Sequence, residues 1–272
     1  MKGQSGLLGP IKVPTLKEIE KAFAKINLTA SHLLNTDTTP TDLGKQVISY
    51  FEYRADALNR IIQPLLMNID QAVELFAEIQ SSLKSSAAVP MNKQSEEKKK
   101  PAYFTGMINM LIENTLDGLP CNYNPQELTT VTRNKAPYRT LARRIDGAFP
   151  GPVDPIAVWE IKEYYYTTTF GSRVADGVYE SLLDGMELEE LDESLRELAT
   201  LAVGTRHIQH ILMVDAHYTW WVKGRSYLCR LIDMLHMGYV DEVLFGREIK
   251  DRLPLIAKVW IEEYKRRNAA KA

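Results

Sequence analysis

In the second half of the chain, short apolar runs at 156–166, 208–216 and 241–246 alternate with stretches of helical periodicity. That alternation constrains the fold more than any other feature. A strand followed by a helix and then another strand returns to the sheet as a parallel neighbour. The helical stretches are 171–202, expected to break near Gly185, then a stripe of Tyr227, Leu228, Leu231, Ile232 and Leu235 ending at Gly238, and a closing helix at 249–267. Upstream, 127–133 and 138–149 read as strands separated by Ala136-Pro137, and the turn Pro150-Gly151-Pro152 leads into 156–166. Three strands joined by short turns run antiparallel. The expected fold class is therefore α/β, a mixed β-sheet flanked by helices.

From Pro14 to about Ala88 the periodicity is helical. Thr15 and Glu18 have capping-box spacing, and Leu16, Ile19, Phe23 and Ile26 follow on one face. Residues 31–42 read as a loop. Val47, Phe51, Leu58 and Ile62 make a second stripe, with Pro64 as a break. Residues 81–100, which end in Glu96, Glu97, Lys98, Lys99 and Lys100, read as a solvated linker. This divides the chain into a helical N-terminal region, 1–100, for dimerisation or clamping, and a core, 101–272. The core opens with a helix at 101–117, closed by Gly118 and Pro120, whose Met107 and Met110 are core by default.

The 272 residues and net charge of −2 exclude a polycationic coat but not a local basic cleft. Two cysteines, Cys121 and Cys229, suit a reducing interior. No apolar run reaches the roughly 20 residues of a membrane span. The first fourteen residues show no convincing cleavage site, so a cytoplasmic location is expected. There is no phosphate-cradling glycine loop, zinc pattern, serine elbow or dinucleotide fingerprint, which sets aside kinases, ATPases, zinc hydrolases and dehydrogenases.

The window that carries chemistry is Arg144-Ile145-Asp146-Gly147-Ala148-Phe149, the proline turn, then Ile156-Ala157-Val158-Trp159-Glu160-Ile161-Lys162. Strand alternation puts Glu160 and Lys162 on one face, and a hairpin centred on Val153 brings Asp146 opposite Glu160. Two carboxylates and a lysine converging at a sheet edge suit metal-assisted phosphodiester hydrolysis, in which hard oxygen ligands hold Mg²⁺ and the lysine orients the bound water or stabilises charge developing in the transition state. Glu-x-Lys recurs at Glu96, Glu97, Glu248 and Glu263, where it reads as solvated or helix-start charge. Only Glu160/Lys162 lies in an apolar strand preceded by an Asp-bearing one. The bland alternative is a cross-strand salt bridge. Against it, three charges in otherwise apolar strands cost stability unless they serve a purpose.

The strand–turn–strand with Asp146, the Glu160-Ile161-Lys162 run, the helix from Ser172 and the strand at Ile208 together resemble the PD-(D/E)XK nuclease superfamily. Within it, the chain is most similar to type II restriction endonucleases. The resemblance covers residues 126–246, and Ile145 stands where the family has Pro. It implies a restriction-endonuclease-like fold and a Mg²⁺-dependent DNA endonuclease that cuts double-stranded DNA site-specifically. It also implies a homodimer and a cognate DNA methyltransferase partner. By the resemblance Asp146, Glu160 and Lys162 would be catalytic, Asp146 and Glu160 as the metal ligands and Lys162 beside the attacking water, with Glu113 as an auxiliary acid.

Arg133, Lys135, Arg139, Arg143 and Arg144 precede Asp146 with no acid among them, and Arg173 opens the following helix. The five are candidate DNA-phosphate contacts, equally readable as solvated charge, and Arg173 faces a phosphate or guanine or pairs with Asp176 three residues on. Tyr164–Tyr166 and Thr167–Thr169 offer hydroxyls to DNA or simply pack a strand. His207 and His210 face opposite ways on a strand, so no metal pair is expected. Asp215, His217, Trp220 and Trp221 border a cleft or form an ordinary strand end. A structure-specific repair or recombination nuclease of the same fold, and a non-catalytic DNA-binding scaffold, are the competing readings.

Overall fold

The computed structural model describes residues 9–83, 85–91, 100–166, 172–199 and 207–269. The charges Glu96, Glu97, Lys98 and Lys99, the triplet Thr167–Thr169 and the stretch 200–202 lie outside the described residues. Two compact units divide at Pro64/Leu65, earlier than the boundary at residue 100 read from the sequence.

In the first unit, helix α1 (Leu16–Ala24) starts at the expected capping box, with Thr15 and Glu18 exchanging hydrogen bonds. The loop that follows buries Ala30, Leu33 and Leu34. Helix α2 (Asp42–Asp56) is capped by Thr41 and widens into a π turn at Ala57–Ile62 before the short α3 (Gln63–Leu65).

The second unit begins with α4 (Ile69–Ser82), whose Asn68 and Gln71 form another capping box, and α5 (Tyr103–Leu116), which ends at left-handed Asp117. Strands β1 (Thr130–Arg133) and β2 (Ala136–Thr140) form a hairpin. Its turn, Asn134-Lys135, has φ 52 and 67, the positive pair that matches strand twist. This corrects the expected run of three antiparallel strands in one sheet. The ribbon is a separate two-stranded sheet, Pro137 lies inside β2, and the backbone leaves strand geometry at 141–146. A proline is tolerated there because β2 is exposed along most of its length.

The main sheet has the order β3-β4-β5-β6, with β3 (Gly147–Phe149), β4 (Ala157–Glu163), β5 (Gln209–Asp215) and β6 (Glu242–Phe245). β3 runs antiparallel to β4, while β4, β5 and β6 are parallel, so the sheet is mixed as expected. The crossovers are α6 (Ser172–Ala199) and α7 (Arg225–His236), and α8 (Ile249–Ala269) closes the chain. The break expected in α6 at Gly185 does not occur. The Tyr239 backbone carbonyl packs against that glycine, and a Cβ there would lie 2.2 Å from its oxygen. Gly185 is present for close approach.

Strand alternation decides what each face of β4 meets. Ala157 and Trp159 join Phe104, Met107, Ile108, Leu253 and Trp260 in the larger core, beside α5 and α8. Val158 packs with Ala148, Leu188 and Leu191 against α6. Trp159 stacks on Trp260 with ring centroids 5.6 Å apart and planes 4° from parallel. Among the described residues, no helix is long and apolar enough to cross a membrane.

Candidate functional site

Asp146 stands just ahead of β3. The register Gly147↔Trp159, Ala148↔Val158, Phe149↔Ala157 is centred on Val153, as the sequence predicts, and continued by one residue it sets Asp146 level with Glu160. Gly147 makes this approach possible, since a Cβ there would lie 2.1 Å from the Trp159 indole. The Asp146 carboxylate then turns along the sheet edge and accepts the Ile161 N–H at 2.8 Å. It thus docks on β4 between Glu160 and Lys162.

The even face of β4 holds an ion cluster under α6. Glu160 and Lys162 are buried, with side chains 1% and 7% exposed, and Lys162 Nζ donates to Glu160 Oε2 at 2.8 Å. Arg143 also donates to Glu160 Oε2, at 3.2 Å, and bridges to Asp184 and Glu180. Glu160 Oε1 lies 3.0 Å from the Arg143 guanidinium without hydrogen-bond alignment, and Asp184 Oδ1 is buried without a hydrogen-bond partner. Glu180 lies 3.3 Å from Lys162 and is 46% exposed, so the cluster reaches solvent at its lip. Gly177 of α6 lets the helix close down, because a Cβ there would lie 2.5 Å from the Tyr164 hydroxyl and 3.3 Å from Lys162 Cδ.

The charge states follow from these contacts. Burial opposes the Lys162 ammonium, but Glu160 and Asp146 hold its pKa above the ordinary value, so it stays protonated at neutral pH. Burial likewise opposes the Glu160 carboxylate, and Lys162 with Arg143 outweighs it, keeping the acid ionised. Asp184 is pushed up to about 7 by burial and by Glu160, against the pull of Arg143. Three acids thus face two cations.

The odd face, closed over Ala157 and Trp159, borders a cavity at Ile161 and Glu163. The cavity, of about 650 Å³, is lined by Asp146, Ile161, Glu163 and Tyr164 with Asn109, Arg173 and neighbouring residues. Glu163, which sequence reasoning missed, accepts the backbone N–H and hydroxyl of Thr105, each at 3.0 Å. The signal for it was available. α5 starts at Ala102, which has no capping side chain, so its first-turn amides need an acceptor from elsewhere. Burial raises the Glu163 pKa despite those bonds.

The remaining expected residues are dispersed. Glu113 accepts hydrogen bonds from Ser85, Ser86 and the Ala87 amide and fastens that segment to α5. The basic run also divides. Arg143 enters the cluster, Arg139 pairs with Glu190 at 2.7 Å and Arg144 donates to Gln126. Arg133 and Lys135 stand exposed at the hairpin end, and Arg173 lines the cavity. His207 bridges Asp192 and Asp241, whereas His210 is buried and bonded to the Tyr239 carbonyl, so the two form no metal pair. Asp215 is buried at the end of β5, where it holds the Tyr165 hydroxyl and the amides of Met67 and Ala216.

Among the described residues, no three His, Cys, Asp or Glu side chains form a ready metal group. Mg²⁺ is commonly held by one or two carboxylates, with waters and substrate phosphates completing its shell. Asp146 and Glu160 are hard oxygen donors, and a cation bound at Glu160 Oε1 would displace the Arg143 guanidinium that lies 3.0 Å from it. The residues present therefore fit the ion chemically.

Fold and site define an α/β protein whose central strand carries a buried acid–lysine couple on one face and a cavity on the other. Residues 67–260 match the family described as a domain of unknown function (DUF7687), and the chain belongs to that family. Residues 2–61 match a second description, domain of unknown function (DUF7690). No curated protein and no solved structure matches the chain.

Proposed function

We propose that the chain is a Mg²⁺-dependent DNA endonuclease of the PD-(D/E)XK type. In its finer form it is a type II restriction enzyme that cuts duplex DNA as a homodimer, in the cytoplasm, beside a cognate methyltransferase. One observation carries the reading: Asp146 docks on the Ile161 amide, between Glu160 and Lys162, at an edge that adjoins a cavity. Asp146 and Glu160 would hold Mg²⁺, whose chemistry when bound is Lewis acidity toward a phosphoryl oxygen. Lys162, kept protonated by its carboxylate neighbours, orients the attacking water and offsets charge that develops on the phosphate, and it does not serve as a base. Water adds to phosphorus as the P–O bond breaks, leaving a phosphate on one end and a hydroxyl on the other.

The test is plasmid DNA incubated with the protein, with and without Mg²⁺. Discrete fragments are expected with Mg²⁺. Asp146→Asn, which retains an oxygen for the Ile161 amide, should abolish them while the protein still binds DNA. Undiminished cutting by that variant would remove Asp146 from the site.

A second reading is favoured by the burial of Glu160 and its ion pairs with Lys162 and Arg143. On that reading the cluster is a structural rivet in a DNA-binding scaffold. Absence of cleavage with every divalent metal, together with retained DNA binding, would favour it.

A further inference from the structure

The cavity on the odd face of β4 is not used by the ion cluster. Its volume of about 650 Å³ falls within the roughly 300–1,000 Å³ usual for small-molecule sites. Ala87, Ala88, Pro90, Met91 and Ala102 give it an apolar wall, and Tyr123 and Tyr164 add aromatic rings. Asn109 lines it, is 6% exposed and leaves its Oδ1 without a hydrogen-bond partner. A buried amide oxygen left in that state costs free energy, which a ligand N–H would recover once the side chain turned that oxygen into the cavity. Asp146 and Glu163 add carboxylate oxygens, while Arg173, exposed on the same lining, supplies a cation.

We propose that this cavity binds a nucleobase bearing an exocyclic amino group, carried by a nucleotide whose phosphate meets Arg173. A purely apolar ligand would leave Asn109 Oδ1 unsatisfied. A simple anion would meet two carboxylates. A planar base with an N–H edge matches the acceptors, and its ring faces match the tyrosines and the apolar wall. Thymine, whose pairing edge offers one N–H between two acceptors, fits this lining worst. The nucleotide is either a free mononucleotide or a unit turned out of a strand. The second source rests on the nuclease reading, since Asp146 borders the cavity and belongs to the proposed cleavage site.

The experiment is a calorimetric titration of the full chain, in chelator and without metal, with dAMP, dCMP, dGMP and dTMP. A parallel fluorescence titration uses single-stranded DNA containing 2-aminopurine. Saturable binding is expected, with dTMP the weakest of the four. Asn109→Leu, which removes the acceptor, and Ala88→Trp, which fills the cavity from an exposed position, should each weaken binding about tenfold or more at unchanged melting temperature. Tighter binding of the oligonucleotide than of any mononucleotide assigns the ligand to a strand, and the reverse order assigns it to a free nucleotide. Absence of saturable binding, or binding by both variants at wild-type strength, overturns the proposal, and dTMP binding as tightly as the others overturns the amino-group assignment. Plasmid cleavage without nucleobase binding would sink this inference alone, whereas nucleobase binding without cleavage would sink the nuclease reading alone.

Discussion

The two faces of β4 treat charge in opposite ways. On the even face, Glu160 and Lys162 are closed under α6, and each meets a partner of opposite sign. On the odd face, Glu163 is held by the first-turn groups of α5, and Asn109 across the cavity lacks a partner for its oxygen. One strand thus faces paired charges on one side and an unpaired neutral amide oxygen on the other. A buried charge requires a partner of opposite sign, whereas an unmet neutral acceptor beside a cavity leaves room for a ligand.

The comparison can be broken most severely at Glu160. Glu160→Gln leaves the buried Lys162 without a counter-charge at its nearest contact, and should cost about 3–5 kcal/mol in urea unfolding. Gly147→Ala drives a methyl into the Trp159 indole and should cost about 1–3 kcal/mol, read as a lower melting temperature. A third test uses pH. Asp184 titrates near 7 in the folded chain against an ordinary 3.8, so the folded state holds a proton that the unfolded state has released. That contribution is fully present below about 4 and is lost as pH rises to about 7. Asp215, also raised to about 7 by burial, titrates in the same window. Asp184→Asn should therefore remove part of the fall in stability across it, with the Asp215 share remaining. The smallest effect should come from the same chemical change on the other face. Glu163→Gln keeps an oxygen for Thr105 at a site where burial already disfavours charge, and should shift stability by less than about 1 kcal/mol. A Glu163→Gln cost as large as that of Glu160→Gln would erase the distinction between the faces.

Much of this arrangement was legible in the residues. The period-two pattern of Trp159-Glu160-Ile161-Lys162 separated the faces correctly, and symmetry about Val153 gave the β3–β4 register. Strands β5 and β6 followed from short apolar runs between helices. What escaped depended on distant partners. The fate of 141–146 is set by Arg143 reaching Glu160 and by Leu141 and Ile145 joining the α6-side core, none of it visible as local propensity. Asp184 and Glu180 read as ordinary helix-surface acids until α6 is seen to lie over β4. Glu113 invited a chemical role by type and position, but its oxygens serve a serine-rich turn.

Strand β3 has three residues and β4 has seven, so part of β4 extends beyond its antiparallel neighbour. An open strand margin of that kind invites pairing with another molecule. The Asp146 side chain, taking the Ile161 amide, stands in for the missing β3 residue and blunts that margin. Its loss would therefore carry a solubility cost separate from any chemistry. Alanine at this position should promote self-association by edge pairing, whereas asparagine, still offering an oxygen, should keep the chain dispersed.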